Sequence, residues 1–139
     1  MIIGIDLKTM SSPYINKKAL QTYLKFAQHT ALEAGNLLMS YYGKIYQTQT
    51  KSNKVDLLTT ADIKADQLIC QIINEKYPNH NILTEESGLK KSKNNEFTWI
   101  VDPLDGTTNF IHSLPIFAVS IALEYNQETI VGVVYNPAA

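Results

Sequence analysis

Apolar residues recur at spacings of four and three after Asn16: Leu20, Leu24, Ala27, Ala31, Ala34 and Leu38. That rhythm gathers them on one stripe of an α-helix, and Gly43 offers a stop. A second stripe, Leu68, Ile69, Ile72 and Ile73, follows Thr60 and Asp62, either of which can cap a helix start. It ends before Tyr77-Pro78-Asn79, because the residue ahead of a proline is pushed away from helical angles. Between the two stripes, Ile45 to Thr50 alternates weakly and is expected to be a strand. Val55 to Thr59 is expected to be a short extended piece. Asn81–Thr84 and Trp99–Val101 are short apolar runs that predict buried strands. Leu89 to Glu96 is polar and predicts a surface loop. Phe117–Leu123 and Thr129–Tyr135 are β-prone, and Asn126-Gln127 between them predicts an antiparallel hairpin. Residues 1–16 have no clear period and contain the breaker Ser11-Ser12-Pro13. They are expected to be an extension with little structure. The order helix, strand, helix, strand, strand, hairpin predicts an α/β layered domain over 17–139.

Composition narrows this picture. With 139 residues, 45% of them hydrophobic, the chain can build one core. The net charge of −1 leaves no basic excess for direct nucleic-acid binding. All 12 basic residues are lysines, so a phosphate site here must use Lys, backbone N–H groups or a metal rather than an arginine fork. The single cysteine, Cys70, excludes an internal disulfide and sits in a helical apolar pattern, where it reads as a small core residue. No apolar run approaches the ~20 residues a membrane span needs. Met1–Ile5 lacks the basic start of a signal peptide. A cytoplasmic protein with no membrane partner is expected.

The chemistry concentrates in Trp99-Ile100-Val101-Asp102-Pro103-Leu104-Asp105-Gly106-Thr107-Thr108-Asn109-Phe110. Asp102 would emerge at the end of a buried strand. Pro103 has no N–H and cannot continue a central ladder, so a turn is expected to bring Asp102 and Asp105 together. Gly106 allows close backbone approach, and Thr107 or Thr108 could cap a helical turn. Two carboxylates and the Leu104 carbonyl are hard oxygen ligands of the kind Mg²⁺ takes. The backbone N–H groups that follow suit an anion. Asp-Pro and Asp-Gly are also ordinary turn pairs, and spacing alone leaves both readings open.

The same run resembles the first signature of the inositol monophosphatase family: an aromatic-apolar strand, Asp-Pro-apolar-Asp-Gly-Thr, then an aromatic. Three further blocks resemble the family in order and spacing. They are Val55-Asp56-Leu57-Leu58-Thr59-Thr60-Ala61-Asp62, Thr84-Glu85-Glu86-Ser87 with Thr84 in place of the usual Gly, and Gly132-Val133-Val134-Tyr135-Asn136-Pro137. The resemblance implies an inositol-monophosphatase/fructose-bisphosphatase-like sandwich, of which this chain would be the N-terminal half. It implies a Mg²⁺-dependent, lithium-sensitive phosphomonoesterase of inositol 1-phosphate or a similar polyol or sugar phosphate. Two or three Mg²⁺ ions are implied, held by Glu85, Asp102, the Leu104 carbonyl and Asp105. Catalysis would fall to Asp62, Glu85 and Thr107, with a hydrogen bond from Thr107 to Asp62. Substrate would meet Glu85, Leu104, Asp105, Gly106 and Thr107. Lys51 matches a position near the metals, but reads equally as a solvated turn lysine, and His112 reads as structural.

The family's second signature, a Trp-Asp-x-Ala-type segment, is absent from these residues. The chain alone is therefore expected to be weak or inactive, and a half-sheet left open is expected to drive homodimer formation. A non-catalytic binding module related to the extragenic-suppressor branch is the alternative from another class. Phosphatases of nucleotide bisphosphates, fructose bisphosphate or histidinol phosphate share the same loop.

Overall fold

A computed structural model describes residues 2–6, 15–92 and 96–139. Helix α1 (Lys17–Gln47) opens on Asn16, whose side chain accepts a hydrogen bond from the Ala19 N–H at 2.9 Å. The expected stripe is the buried one: Leu20, Ala27, Ala31, Ala34 and Leu38. Small residues on this stripe let the helix approach the sheet closely. A Cβ on Gly35 would run into the Tyr135 ring.

The end of α1 and helix α2 (Lys51–Lys76) correct three expectations. Ile45 is not in a strand but is buried in the last turns of α1, and Val55 to Thr59 is helical rather than extended. The β-prone pattern is overridden by packing. Ala61, Ala65, Ile69 and Ile73 form a buried row at spacing four, and α2 lies along α1. The threonines fit because their hydroxyls bond back one turn, Thr59 to the Val55 carbonyl and Thr60 to the Asp56 carbonyl. Neither Thr60 nor Asp62 caps the helix. Its N-cap is Thr50, which makes no side-chain capping bond.

Strands β1 (Ile2–Asp6), β2 (Asn81–Thr84), β3 (Gly88–Lys90), β4 (Phe97–Asp105), β5 (Ala118–Tyr125) and β6 (Glu128–Tyr135) form one sheet in the order β1-β6-β5-β4-β2-β3. Helix α3 (Thr107–Ile111) joins β4 to β5. Two strands lie where none was expected. Ile2–Asp6 pairs antiparallel with β6, so part of the presumed extension belongs to the sheet. Gly88–Lys90 turns back on β2, within or beside the segment read as a loop. The breaker Ser11-Ser12-Pro13 lies outside the described residues. The hairpin is as expected, and Asn126 and Gln127 both take positive φ, 49° and 66°, as its tight turn requires.

Alternation along β5 separates two faces. Val119, Ile121, Leu123 and Tyr125 are buried towards the helices, while Ser120, Ala122 and Glu124 are only partly covered. Leu83 and Val134 are 39% and 49% exposed. One face of the sheet is thus the core and the other is largely open.

Candidate functional site

All but one of the strand pairings are antiparallel; β2 and β4 run in parallel. Their register matches Thr84 with Val101, so β2 ends beside the middle of β4, and the ladder continues as the Glu85 N–H donates to the Val101 carbonyl at 3.3 Å. The residues that follow, Glu85 and Asp102, are therefore neighbours. Side-chain placement at the carboxyl ends of parallel strands is where α/β sheets build sites.

Pro103 acts differently from expectation. The strand does not end at Asp102, and β4 runs on to Asp105. Asp102 pairs with Ser120 and Asp105 with Ala118, so three steps on β4 face two on β5. The missing N–H and fixed φ of Pro103 are absorbed in a bulge rather than a turn. Bulges re-aim side chains, and here Pro103 and Leu104 are buried while Asp102 is partly covered and Asp105 exposed. The Leu104 N–H donates to Asp102 Oδ1 at 3.2 Å and helps fix that carboxylate. Gly106, not a threonine, caps α3, with φ 86°. A Cβ there would meet the Ile116 carbonyl oxygen at 3.0 Å, so glycine is required twice over. Thr107 and Thr108 are exposed.

The carboxylates interact as two pairs. Asp102 lies within hydrogen-bonding reach of Glu85, and Asp62, from α2, within reach of Glu86. Burial, then the Glu85 charge, pushes Asp102 up to about 6, against the pull of the Leu104 N–H. Burial, then Glu86, pushes Asp62 up to about 7, with Asp102 and Glu85 adding to it. Asp62 Oδ1 is buried and has no hydrogen-bond partner. The expected bond between Asp62 and Thr107 is not among those formed by the described residues; the partner of Asp62 is Glu86. Among the described residues no three His, Cys, Asp or Glu side chains are drawn into one metal-binding cluster.

The donor set nonetheless fits a hard cation. It is all oxygen, it holds like charges against one another at a cost, and it leaves one buried oxygen unused. Beside it lies a cavity of about 450 Å³ on the open face of the sheet, lined by Glu85 and Asp102 and by Leu83, Ile100, Ser120 and Ala122. Lys51 is not among its lining residues. It shares a different cavity, of about 370 Å³, with Lys54 and His112. Glu86 is the residue that spacing undervalued. It could be a surface carboxylate by sequence, and it becomes the partner of Asp62 only through the packing of α2 against the β2–β3 turn.

The inositol monophosphatase family matches residues 19–139. An inositol-1-monophosphatase from Synechocystis is 44% identical over 131 residues, 94% of this chain and 46% of the relative. The Nus factor SuhB of Escherichia coli K12 is also 44% identical, over 82% of this chain and 43% of its own length. Among solved structures, the extragenic suppressor protein suhB from Bartonella henselae superposes with a TM-score of 0.74 at 37% identity, covering 84% of this chain and 44% of that one. The inositol monophosphatase from Anabaena (Nostoc) gives 0.71 at 41% identity, covering 85% and 41%. The chain thus spans a little under half the length of the relatives it matches.

Proposed function

Because the chain belongs to the inositol monophosphatase family, we propose that it carries the carboxylate half of a magnesium-dependent phosphomonoesterase site for a small phosphorylated polyol or sugar. The observation that carries this reading is the parallel β2–β4 register, which sets Glu85 beside Asp102 at the mouth of a cavity. Glu85, Asp102, Asp105 and the Leu104 carbonyl are the groups that would hold Mg²⁺. Two such ions supply an activated water and charge compensation for the leaving oxygen when bound. The chain's own residues do the rest. Asp102 is oriented by the Leu104 N–H. Asp62, from α2, is assigned to accept the proton of the attacking water, and the Thr107 hydroxyl to orient that water. Gly106 and Thr107 offer backbone N–H groups to the phosphate.

These 139 residues hold no Trp-Asp-x-Ala segment, and on their own they are proposed to turn substrate over slowly or not at all. Binding is the better test. Calorimetry should show Mg²⁺ binding to the wild-type chain, and inositol 1-phosphate binding only when Mg²⁺ is present. Asp105→Ala should weaken both. Ester binding that ignores Mg²⁺ and survives Asp105→Ala would refute the reading. A non-catalytic binding role is the second reading, favoured by one observation: the relative named a Nus factor is as similar, at 44% identity, as the one named a phosphatase.

A further inference from the structure

The turn that carries Glu85 and Glu86 is exposed, yet its path is fixed at three points. The Glu85 N–H donates to the Val101 carbonyl at 3.3 Å. The Ser87 N–H donates to Thr84 Oγ1 at 2.7 Å. The Ser87 hydroxyl donates to Asp66 Oδ2, on α2. Asp66 is only 3% exposed, and its other oxygen, Oδ1, is buried with no partner. No lysine pairs with it among the described residues; Lys90, on the neighbouring β3, donates to Asn74 instead. A buried carboxylate with an oxygen left unsatisfied is a costly way to hold one hydroxyl. Such a cost is intelligible where the group fixes something that the fold alone would not.

Asp62 and Asp66 are four residues apart and so lie on one face of α2, one turn from each other. Successive turns of one helix therefore face successive residues of the turn: Asp62 meets Glu86, and Asp66 meets Ser87. The first contact sets two carboxylates within hydrogen-bonding reach of each other and gives the turn no fixed anchor of its own. The second is a hydrogen bond that ties the turn to the helix. We propose that Asp66 is a positioning residue: through the Ser87 hydroxyl it hooks the Glu85-Glu86 turn to α2 and so holds Glu85 and Glu86 in place. This rests on the carboxylate site being a cation site, and deepens that reading.

The test uses the whole chain with Ser87→Ala, Asp66→Ala, Asp66→Asn and the double variant Asp66→Ala/Ser87→Ala. Amide exchange at Glu85 and Ser87, followed by NMR without metal, reports the hook directly. Calorimetric titration with Mn²⁺ reports its effect on the site. Ser87→Ala, which changes no charge, and Asp66→Ala should each speed exchange in the turn and weaken Mn²⁺ by about 10-fold, the scale of lost outer support for a metal ligand. The double variant should be no worse than either single one. Asp66→Asn keeps an acceptor for the hydroxyl and should stay within about 3-fold of wild type on that same scale. Turn amides that exchange at the wild-type rate in Ser87→Ala, or penalties that multiply in the double variant, overturn the proposal. So does an affinity that tracks charge alone, with Asp66→Asn falling as far as Asp66→Ala. A wild-type chain that binds no Mn²⁺ would instead overturn the cation-site reading, and the exchange data would still decide the hook. Should Asp66→Ala fail to fold, Ser87→Ala and Asp66→Asn carry the comparison.

Discussion

Strand β4 has two ends with opposite chemistry. At its start, Phe97 and Trp99 join Tyr23, Phe26, Tyr77 and His80 in an aromatic cluster. His80 is stacked between Tyr77 and Phe97, with centroids 4.7 and 4.6 Å away. It is 8% exposed, and its Nδ1 accepts a hydrogen bond from Trp99 Nε1 at 3.1 Å. At the other end Asp102 meets Glu85, the Asp105 charge acts on Asp102, and Asp62 meets Glu86. Both ends bury titratable groups, and both push them towards neutrality: burial lowers His80 to about 4 and raises Asp102 and Asp62 to about 6 and 7. The difference lies in what satisfies them. The imidazole is neutral by design of its surroundings, packed on both faces and given a donor. The carboxylates are given each other. One end is a finished piece of core, and the other sets carboxylates whose charges oppose one another.

The largest effect that would break this contrast is at the finished end. Trp99 is fully buried, so Trp99→Ala should cost about 3–5 kcal/mol in urea denaturation. A loss below about 1 kcal/mol would mean the cluster is not the anchor of β4.

Acid should then pull the two ends apart. For His80 the folded pKa lies below the unfolded value. Its contribution is therefore complete above pH 6.5 and is lost as pH falls towards 4, by about 2 kcal/mol between pH 7 and 5. Asp62 and Asp102 have raised folded values. They cost stability above pH 7 and give it back as pH falls towards the ordinary carboxylate range. The two trends partly cancel in the wild-type chain. The variant Asp62→Asn/Asp102→Asn should lose stability more steeply from pH 7 to 5 than wild type does. A shallower loss would reverse the assignment.

The smallest effect is at the unfinished end. Without divalent ions at pH 8, Asp102→Asn should raise stability by about 1 kcal/mol, a figure already reduced for the partial solvent screening of that carboxyl. Added Mg²⁺ should stabilise wild type and leave Asp102→Asn unchanged. An Asp102→Asn chain that is less stable than wild type in the absence of metal would contradict the picture of mutual repulsion.

The sequence revealed these regions unevenly. Helix α1 was legible because its stripe is long and its cap is a plain asparagine signal. The hairpin was legible because Asn126 and Gln127 tolerate positive φ. The Asp102–Phe110 run was legible as a family motif, since each of its residues is local to the next. Contacts across the chain were not. The stretch from Lys51 to Thr60 carries β-prone residues, and only packing against α1 makes it helical. That same packing brings Asp62 to Glu86 and Asp66 to Ser87. His80 gave no signal, because a histidine after Tyr77-Pro78-Asn79 looks like any turn residue until Trp99 and Phe97 arrive from 17 or more positions downstream. Pro103 signals a disturbed ladder, but whether the disturbance becomes a turn or a bulge depends on β5, which lies beyond it.

The central claim is that the carboxylates at the ends of β2 and β4 are held together for a cation to join them. Carbon-13 NMR titration of the aspartate carboxyls, with and without Mg²⁺, measures this directly. The account predicts that Asp102 and Asp62 titrate near 6 and 7 in the metal-free chain, and that Mg²⁺ drives both down towards or below the ordinary aspartate value. Two carboxyls that titrate near 4 without metal, and do not move when Mg²⁺ is added, would contradict it.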